Sequence, residues 1–279
     1  MSGLAYVFPG QGSQSVGMLV AKSAEALSTF KEASEAIGYD MEELISSGPV
    51  ELLNQTEYTQ PALLTVSVAL FRYAMNNGAD FPDVVLGHSL GEYAALVAAG
   101  AIRFVDAVKL VRKRGQYMQG AVPLGKGGMA AVLGLSDEQV LEICSSVTRE
   151  SKTGLVEAAN FNAPEQVVVA GDNETLELLI ERCKNVGAKR AIILNVSAPF
   201  HCTLMKPAAK KMEELLNATE IIAPKIPIIQ NVSAAYETQP EFIRRNLIDQ
   251  IYLPVRWTES IKILSNNQVQ TTIGRPKLN

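Results

Sequence analysis

Short apolar runs alternate along the chain with longer segments whose apolar residues recur at helical spacing. Leu4–Phe8 and Val84–Leu86 are runs typical of buried strands. Segments 61–75 and 105–118 carry the helical period, the first with Pro61 near its predicted first turn. Strands that alternate with helices predict an α/β fold, in which a mostly parallel sheet has helices on both faces.

The pattern changes after a glycine-containing stretch at residues 123–128. The next segments predict helices over 136–148 and 173–186, and strands over 129–134, 155–160, 166–170 and 191–196. The resulting order, βαββαβ, is that of a ferredoxin-like unit. We therefore expect residues 1–124 and 197–279 to form the core and residues 125–196 to form an inserted small domain. A cleft between the two is where a ligand would bind.

Composition narrows the function classes. Of 279 residues, 47% are hydrophobic and 19% charged, and the net charge of −4 gives no indication of nucleic-acid binding. The three cysteines lack metal-ligand spacing, so we expect a reducing compartment and no zinc site. No apolar run approaches the roughly 18 residues of a membrane span. These features predict a cytoplasmic protein without a basic leader segment.

The strongest candidate for chemistry is Ser89, at the centre of the sequence GHSLG. A predicted strand precedes this segment and an alanine-rich helix follows it, with a glycine two residues to each side of the serine. Strand, sharp turn and helix is the arrangement that exposes a nucleophilic serine, and glycine permits the close backbone approach. The alternative is a glycine-flanked serine that only caps a helix.

A serine nucleophile needs a base, and the chain has only two histidines. His88 is adjacent to Ser89, and neighbouring side chains on a tight turn diverge, so we expect it to pack beside the turn. His201 is then the candidate general base. Cys202 is a weaker candidate nucleophile, because it lacks such a turn and its side chain should point away from that of His201.

Two further segments bear on the same chemistry. The loop that follows the first strand, PGQGSQ, is neither a dinucleotide fingerprint nor a phosphate loop. It is either a simple turn or half of an oxyanion hole, in which the backbone amides of Gln11 and Leu90 would be the donors. On the helix at 105–118, Arg112 or Arg114 could face inward and bind a substrate carboxylate, and spacing alone does not choose between them.

Together these segments resemble the malonyl-CoA:acyl carrier protein transacylases of bacterial type II fatty acid synthesis and their acyltransferase-domain relatives. The matching segments are FPGQGSQ (8–14), TQPAL (59–63), GHSLGEYAALVAAG (87–100), RG and MQ (114–119), NFNAPEQVVVAG (160–171), FHCTLMKP (200–207) and QIYLPVRW (250–257). They occur in the family's order over most of residues 4–260. The resemblance implies an α/β-hydrolase-like core with a ferredoxin-like insertion.

The resemblance also assigns roles to residues. It implies Ser89 as nucleophile, His201 as general base, the Gln11 and Leu90 amides as oxyanion hole, and Arg114 as partner of the malonyl carboxylate. The Gln250 main-chain carbonyl would orient His201, and Gln60 and Asn160 would line the pocket. The chain departs from the family pattern at its end, where residues 268–279 resemble a scrambled or truncated form of the usual GPGKVL turn.

The resulting hypothesis is a ping-pong malonyl transfer from malonyl-CoA to acyl carrier protein through a malonyl-serine, with no metal or other cofactor. Nucleic acid and membrane are not expected as partners, and a monomer is expected. Two alternatives stay open. One is a serine hydrolase acting on esters or thioesters, which would normally place an acidic residue between its serine and histidine. The other is a carrier-binding module without activity, which the atypical C-terminus would favour.

Overall fold

The structure, a computed structural model, describes residues 3–18, 23–266 and 269–273. Its strands are Gly3–Phe8 (β1), Val84–Gly87 (β2), Gly127–Leu133 (β3), Val156–Ala163 (β4), Gln166–Asp172 (β5), Arg190–Ile193 (β6), Ile228–Gln230 (β7), Ala235–Glu237 (β8) and Val269–Ile273 (β9). Its helices are Ala24–Ile37 (α1), Met41–Ser46 (α2), Val50–Leu53 (α3), Thr56–Asn76 (α4), Gly91–Ala98 (α5), Phe104–Gln119 (α6), Asp137–Glu150 (α7), Asn173–Asn185 (α8), Lys206–Ala218 (α9), Pro240–Asp249 (α10) and Trp257–Asn266 (α11). A 3₁₀ turn, Thr203–Met205, leads into α9.

The first sheet has the order β8-β7-β2-β1-β9, and every neighbouring pair is parallel except β7 with β8. Alternate residues of its strands face opposite sides, and both sides are covered. Tyr6 and Phe8 join the large core with α1, α4, α5, α6 and α9. Ala5 and Val7 join a smaller cluster with Trp257 of α11.

The second sheet is antiparallel, with the order β4-β5-β3-β6. Because successive side chains of a strand point to opposite faces, neighbouring residues again pack on opposite sides of the sheet. Val132 and Val169 pack under α7 and α8, whereas Met129 and Val168 belong to the large core. One face of the sheet thus packs against α7 and α8, and the other face packs against the main body of the protein. The chain order of these elements is βαββαβ. The division of the chain into domains at residues 125 and 196 stays a prediction.

The predicted start of α4 is wrong. The helix begins at Thr56, so Pro61 is its sixth residue and lies inside it. Proline removes one backbone donor, which here would have bonded to the Glu57 carbonyl one turn earlier, and the helix continues through this position to Asn76. The Thr59 hydroxyl donates to the carbonyls of Leu53 and Gln55 at 2.6 and 3.0 Å, which ties the first turn to the preceding chain.

Strand β6 also differs from the prediction, since it ends at Ile193 rather than at residue 196. Beyond it the Val196 amide donates to the Leu194 carbonyl at 2.9 Å, a local turn that leads the chain away from the sheet toward His201. At the other end of the chain, residues 269–273 form β9 beside β1, and residues 274–279 lie outside the described part. Within the described residues no helix is long and apolar enough to cross a membrane.

Candidate active site

Ser89 occupies the sharp turn between β2 and α5. Its φ is 51°, in the left-handed region that residues other than glycine rarely adopt. The backbone segments around Ser89 are in direct contact with one another. A Cβ on Gly87 would lie 1.9 Å from the Gly91 carbonyl carbon, and a Cβ on Gly91 would lie 2.3 Å from the Phe8 carbonyl oxygen. Only glycine fits at either position, so the GHSLG pattern is dictated by space.

His201 faces this serine from the turn before the 3₁₀ segment, and its φ of 60° is also left-handed. Its Nε2 lies 2.7 Å from Ser89 Oγ, and its Nδ1 lies 2.7 Å from the main-chain carbonyl oxygen of Gln250. Because a carbonyl only accepts, Nδ1 carries the proton, and Nε2 of the neutral ring is free to accept from the serine hydroxyl. No carboxylate of the described residues hydrogen-bonds this ring.

The environment keeps the His201 imidazole neutral. Burial lowers its pKa to about 3, with a further lowering from the Arg114 guanidinium, and the bond to the Gln250 carbonyl opposes both effects only partly. A neutral imidazole is the form that takes a proton from serine.

Arg114 projects from α6 into the site and is 1% exposed. Its Nη1 donates to Gln60 Oε1 at 2.8 Å, and its Nη2 donates to Gln250 Oε1 at 2.9 Å and to Ser89 Oγ at 3.1 Å. All three acceptors are neutral, and its buried Nε has no partner among the described residues. A buried cation held by neutral oxygens, with a donor unused, is suited to bind an anion.

The structure thereby separates the two arginines that sequence spacing left undecided. Arg112 donates to the Ile37 carbonyl at 2.6 Å and pairs with Glu57 at 3.3 Å. These contacts lie on the side of α6 away from Ser89, and Lys113 between the two arginines is exposed. Only Arg114 faces the serine, because three consecutive helical residues point in three directions.

Of the predicted oxyanion donors, Leu90 belongs to the turn at residues 87–91, which we call the elbow, and Gln11 belongs to the loop after β1. That loop follows Phe8, whose carbonyl accepts from the His88 amide at 3.0 Å, and Leu90 is the residue before α5. The amide of Ser89 itself donates to Asn231 Oδ1 at 2.6 Å, so it is not available to an oxyanion. Gln11 and Leu90 as the two donors stay a prediction.

The remaining candidates are placed as follows. His88 Nε2 lies 2.8 Å from Asn162 Oδ1, with its ring edge-on to Trp257, and it does not contact Ser89 Oγ. The Cys202 thiol donates to the Pro199 carbonyl at 3.1 Å, and burial raises the pKa of this thiol to about 12, which disfavours a thiolate nucleophile.

Gln60 contacts Arg114 directly, as described above. Asn160 lies in β4, where it is 6% exposed and its backbone bridges to Val255. Its role in the pocket stays a prediction. Among the described residues no cluster of His, Cys, Asp or Glu is arranged to hold a metal ion.

Sequence reasoning missed a polar network beneath the elbow. Asn231, which follows β7, contacts the elbow with its side-chain amide, and its own backbone amide donates to Glu92 Oε2 at 2.7 Å. Gln230 Nε2 donates to Glu92 Oε1 at 3.0 Å. Burial raises the pKa of Glu92 to about 7. The sequence carried no signal for this network, because its members are about 140 residues apart.

A serine on a strand-to-helix turn, hydrogen-bonded to a neutral imidazole and faced by an arginine, defines an acyl-transfer enzyme of the serine class. Comparison with known proteins identifies the family: residues 5–274 match the acyl transferase domain family, and the chain belongs to it. The resemblance seen in the sequence and the predicted α/β fold class are thereby confirmed.

Relatives and solved structures agree with this assignment. The chain is 49% identical to the malonyl CoA-acyl carrier protein transacylase of Salmonella typhimurium, over 97% of this chain and 87% of that protein. It is 50% identical to an acyl carrier protein S-malonyltransferase structure from Vibrio cholerae, with a TM-score of 0.94 over 97% of this chain and 89% of that one. A malonyl-transacylase in complex with a type II polyketide acyl-carrier protein is 45% identical, with a TM-score of 0.94 and coverage of 97% and 88%.

We expect the pH dependence of Ser89 acylation to reflect the lowered pKa of His201. An unperturbed histidine, with a pKa near 6.5, would be mostly protonated at about pH 5 and unable to act as base. With a pKa of about 3, His201 stays neutral there, so the acylation rate should remain near its maximum between about pH 5 and 8. Single-turnover acylation measured across this range tests the expectation. A fall in rate with a midpoint near 6.5 would contradict it.

We expect Asp249→Asn to change activity by less than about tenfold. Asp249 precedes Gln250, yet its carboxylate accepts from the Tyr252 hydroxyl at 2.7 Å and lies 3.8 Å from Arg245, so it does not touch His201. The orienting group is instead a main-chain carbonyl, which substitution does not remove. Steady-state kinetics of the variant provide the measurement. A loss near 10⁴, typical of a neutralised triad aspartate, would show that the carboxylate orients the base.

Proposed function

We propose that this chain transfers the malonyl group of malonyl-CoA to the phosphopantetheine thiol of an acyl carrier protein, through a malonyl ester on Ser89. The observation that carries the proposal is the position of Arg114. No carboxylate of the described residues hydrogen-bonds its buried guanidinium, whose Nη2 lies 3.1 Å from the serine oxygen. A malonyl thioester has a carboxylate at the distance of one methylene from the carbonyl that the serine attacks, and a guanidinium binds a carboxylate with two parallel hydrogen bonds.

In the first half-reaction, Ser89 Oγ attacks the thioester carbonyl carbon while its proton passes to His201 Nε2. The negative charge develops on the carbonyl oxygen, where the amides of Gln11 and Leu90 would stabilise it. Collapse of this intermediate breaks the carbon–sulfur bond, and CoA leaves as a thiol with the proton from His201. The Gln250 carbonyl stabilises the imidazolium that forms transiently.

The second half-reaction is the reverse with a different thiol. His201 removes the proton of the phosphopantetheine thiol, the sulfur attacks the malonyl ester, and Ser89 recovers its proton as the ester oxygen leaves. The solved complex of a related malonyl-transacylase with its acyl-carrier protein supports a carrier as the second substrate. Because both half-reactions exchange acyl groups without oxidation or reduction, we propose that no cofactor takes part.

We propose a cytoplasmic location on the basis of this chemistry. Malonyl-CoA and a loaded carrier are the reactants of fatty acid synthesis, which is the process that the resemblance implies. The three cysteines, all buried and unpaired, agree with a reducing compartment.

Replacing the nucleophile tests the reaction directly. Wild-type protein incubated with malonyl-CoA should gain a malonyl group on Ser89, detectable by mass spectrometry of the intact protein and its peptides. Ser89→Ala should give no adduct and release no CoA, while it melts at a temperature close to that of the wild type, because only one oxygen is removed. An adduct on the variant at the wild-type level would contradict the assignment. CoA release that is equally fast without carrier protein would identify a hydrolase instead.

Arg114→Ala should lose malonyl transfer selectively. A buried charge-assisted pair that loses one partner costs about 2–5 kcal/mol, so kcat/KM for malonyl-CoA should fall by at least about tenfold. Acetyl-CoA has no carboxylate, and its transfer should fall less or rise. Arg112→Ala is the matched control, since it removes an arginine of the same helix that pairs with Glu57 away from the serine. Equal losses on both substrates in Arg114→Ala would show that this arginine is structural.

A further inference from the structure

The nucleophilic turn is held in a conformation that its own sequence does not favour. Ser89 has a φ of 51°, and a residue with a Cβ remains in this region only where its surroundings hold it there. The glycines at 87 and 91 make room for the turn, but they increase the conformational freedom of the backbone and so do not hold the turn in one conformation. Some other contact must hold the backbone that leads into Ser89.

The side chain of Asn231 makes that contact. Its Oδ1 accepts from the Ser89 amide at 2.6 Å, and its Nδ2 donates to the Gly87 carbonyl at 2.7 Å. A carboxamide has an acceptor and donors fixed on one planar group, so it can bind the amide and the carbonyl on the two sides of His88 at once. Asn231 is 1% exposed, and an unpaired amide would be costly there, so its orientation is set by these two bonds.

Asn231 is itself fixed from the opposite side. Its backbone amide donates to Glu92 Oε2 at 2.7 Å, and Glu92 belongs to the first turn of α5, directly after the elbow. The second oxygen of this carboxylate accepts from Gln230. The elbow, α5 and the end of β7 are thus joined in a closed ring of hydrogen bonds.

We propose that Asn231 is a positioning residue for the nucleophile. It holds Ser89 in the left-handed conformation in which Oγ meets His201. By occupying the Ser89 amide, it leaves the Leu90 amide as the elbow's donor to the oxyanion. Its Oδ1 also lies 3.4 Å from Gln250 Nε2, so the same amide adjoins the residue whose carbonyl orients His201. This inference rests on the proposed function in so far as Ser89 is the nucleophile.

The test uses Asn231→Asp and Asn231→Ala in the full chain. The aspartate has the same shape and can still accept from the Ser89 amide, but it places an oxygen against the Gly87 carbonyl, whereas alanine removes both bonds. Single-turnover malonylation of Ser89 should slow by about 100-fold in either variant, the loss expected when a reacting group is misplaced by about 1 Å. The malonyl-CoA concentration that gives half of the maximal rate should stay within about threefold of the wild-type value, because Arg114 and Gln60 are unchanged.

Asn246→Ala is the matched control. Asn246 donates to Gln230 Oε1 at 2.8 Å in the same network but does not touch the elbow, so its loss should leave the acylation rate within about threefold. Thermal melts give the folded fraction of each variant. Malonylation of either Asn231 variant at the wild-type rate, or a loss no greater than its unfolded fraction, would overturn the proposal.

A fluorophosphonate that phosphonylates active serines separates this inference from the proposed function. Ser89 of the wild type should react, and the Asn231 variants should react at least about tenfold more slowly. If malonyl-CoA failed to label the wild type while the fluorophosphonate did, the proposed substrate would be wrong, and the phosphonylation rates would still decide the role of Asn231. Equal phosphonylation of wild type and variants would overturn that role.

Discussion

The close approach of three backbone segments, β1, the elbow and the start of α5, is the constraint on which the site depends. Gly91 lies against the Phe8 carbonyl and Gly87 lies against Gly91, so neither position has room for a side chain. This contact lifts Ser89 off the end of β2 and places the loop after β1 beside it. The result is a strained serine, which we propose Asn231 stabilises through its bonds to the Ser89 amide and the Gly87 carbonyl. The parallel pairing of β1 with β2 supplies the frame, since it fixes Phe8 opposite Gly87.

Arg114 determines the electrostatics of the site. Its charge lies among neutral amide and hydroxyl oxygens, and it helps to lower the pKa of His201, so the base stays neutral beside the cation. One group thus has two consequences: the histidine is ready to accept a proton, and a buried positive charge is present for the carboxylate that we propose as its ligand. Both follow from burying a guanidinium, which remains charged where most other basic groups would lose their proton.

Sequence reasoning reached the parts of this protein that depend on local pattern. The elbow and the βαββαβ order are encoded in short segments, and the family resemblance pointed to Arg114 where spacing alone could not exclude Arg112. The start of α4 was missed because polar residues before Pro61 continue the helix through contacts with the preceding chain. Asn231 and Glu92 were missed for a different reason. Their function exists only once β7 lies beside β2, and no local pattern encodes that pairing.

The Arg114 charge also explains why a main-chain carbonyl, and not a carboxylate, orients His201. A carboxylate in the place of the Gln250 carbonyl would lie close to Arg114, since the side chain of Gln250 already accepts from its Nη2. Such a carboxylate would pair with the guanidinium and neutralise it, and the anchor that we propose for the substrate carboxylate would be lost. Glu92, the buried acid nearby, accepts from Asn231 and Gln230 instead of Arg114. The site orients its base with a neutral dipole, and the Arg114 charge therefore stays available for the ligand that we propose.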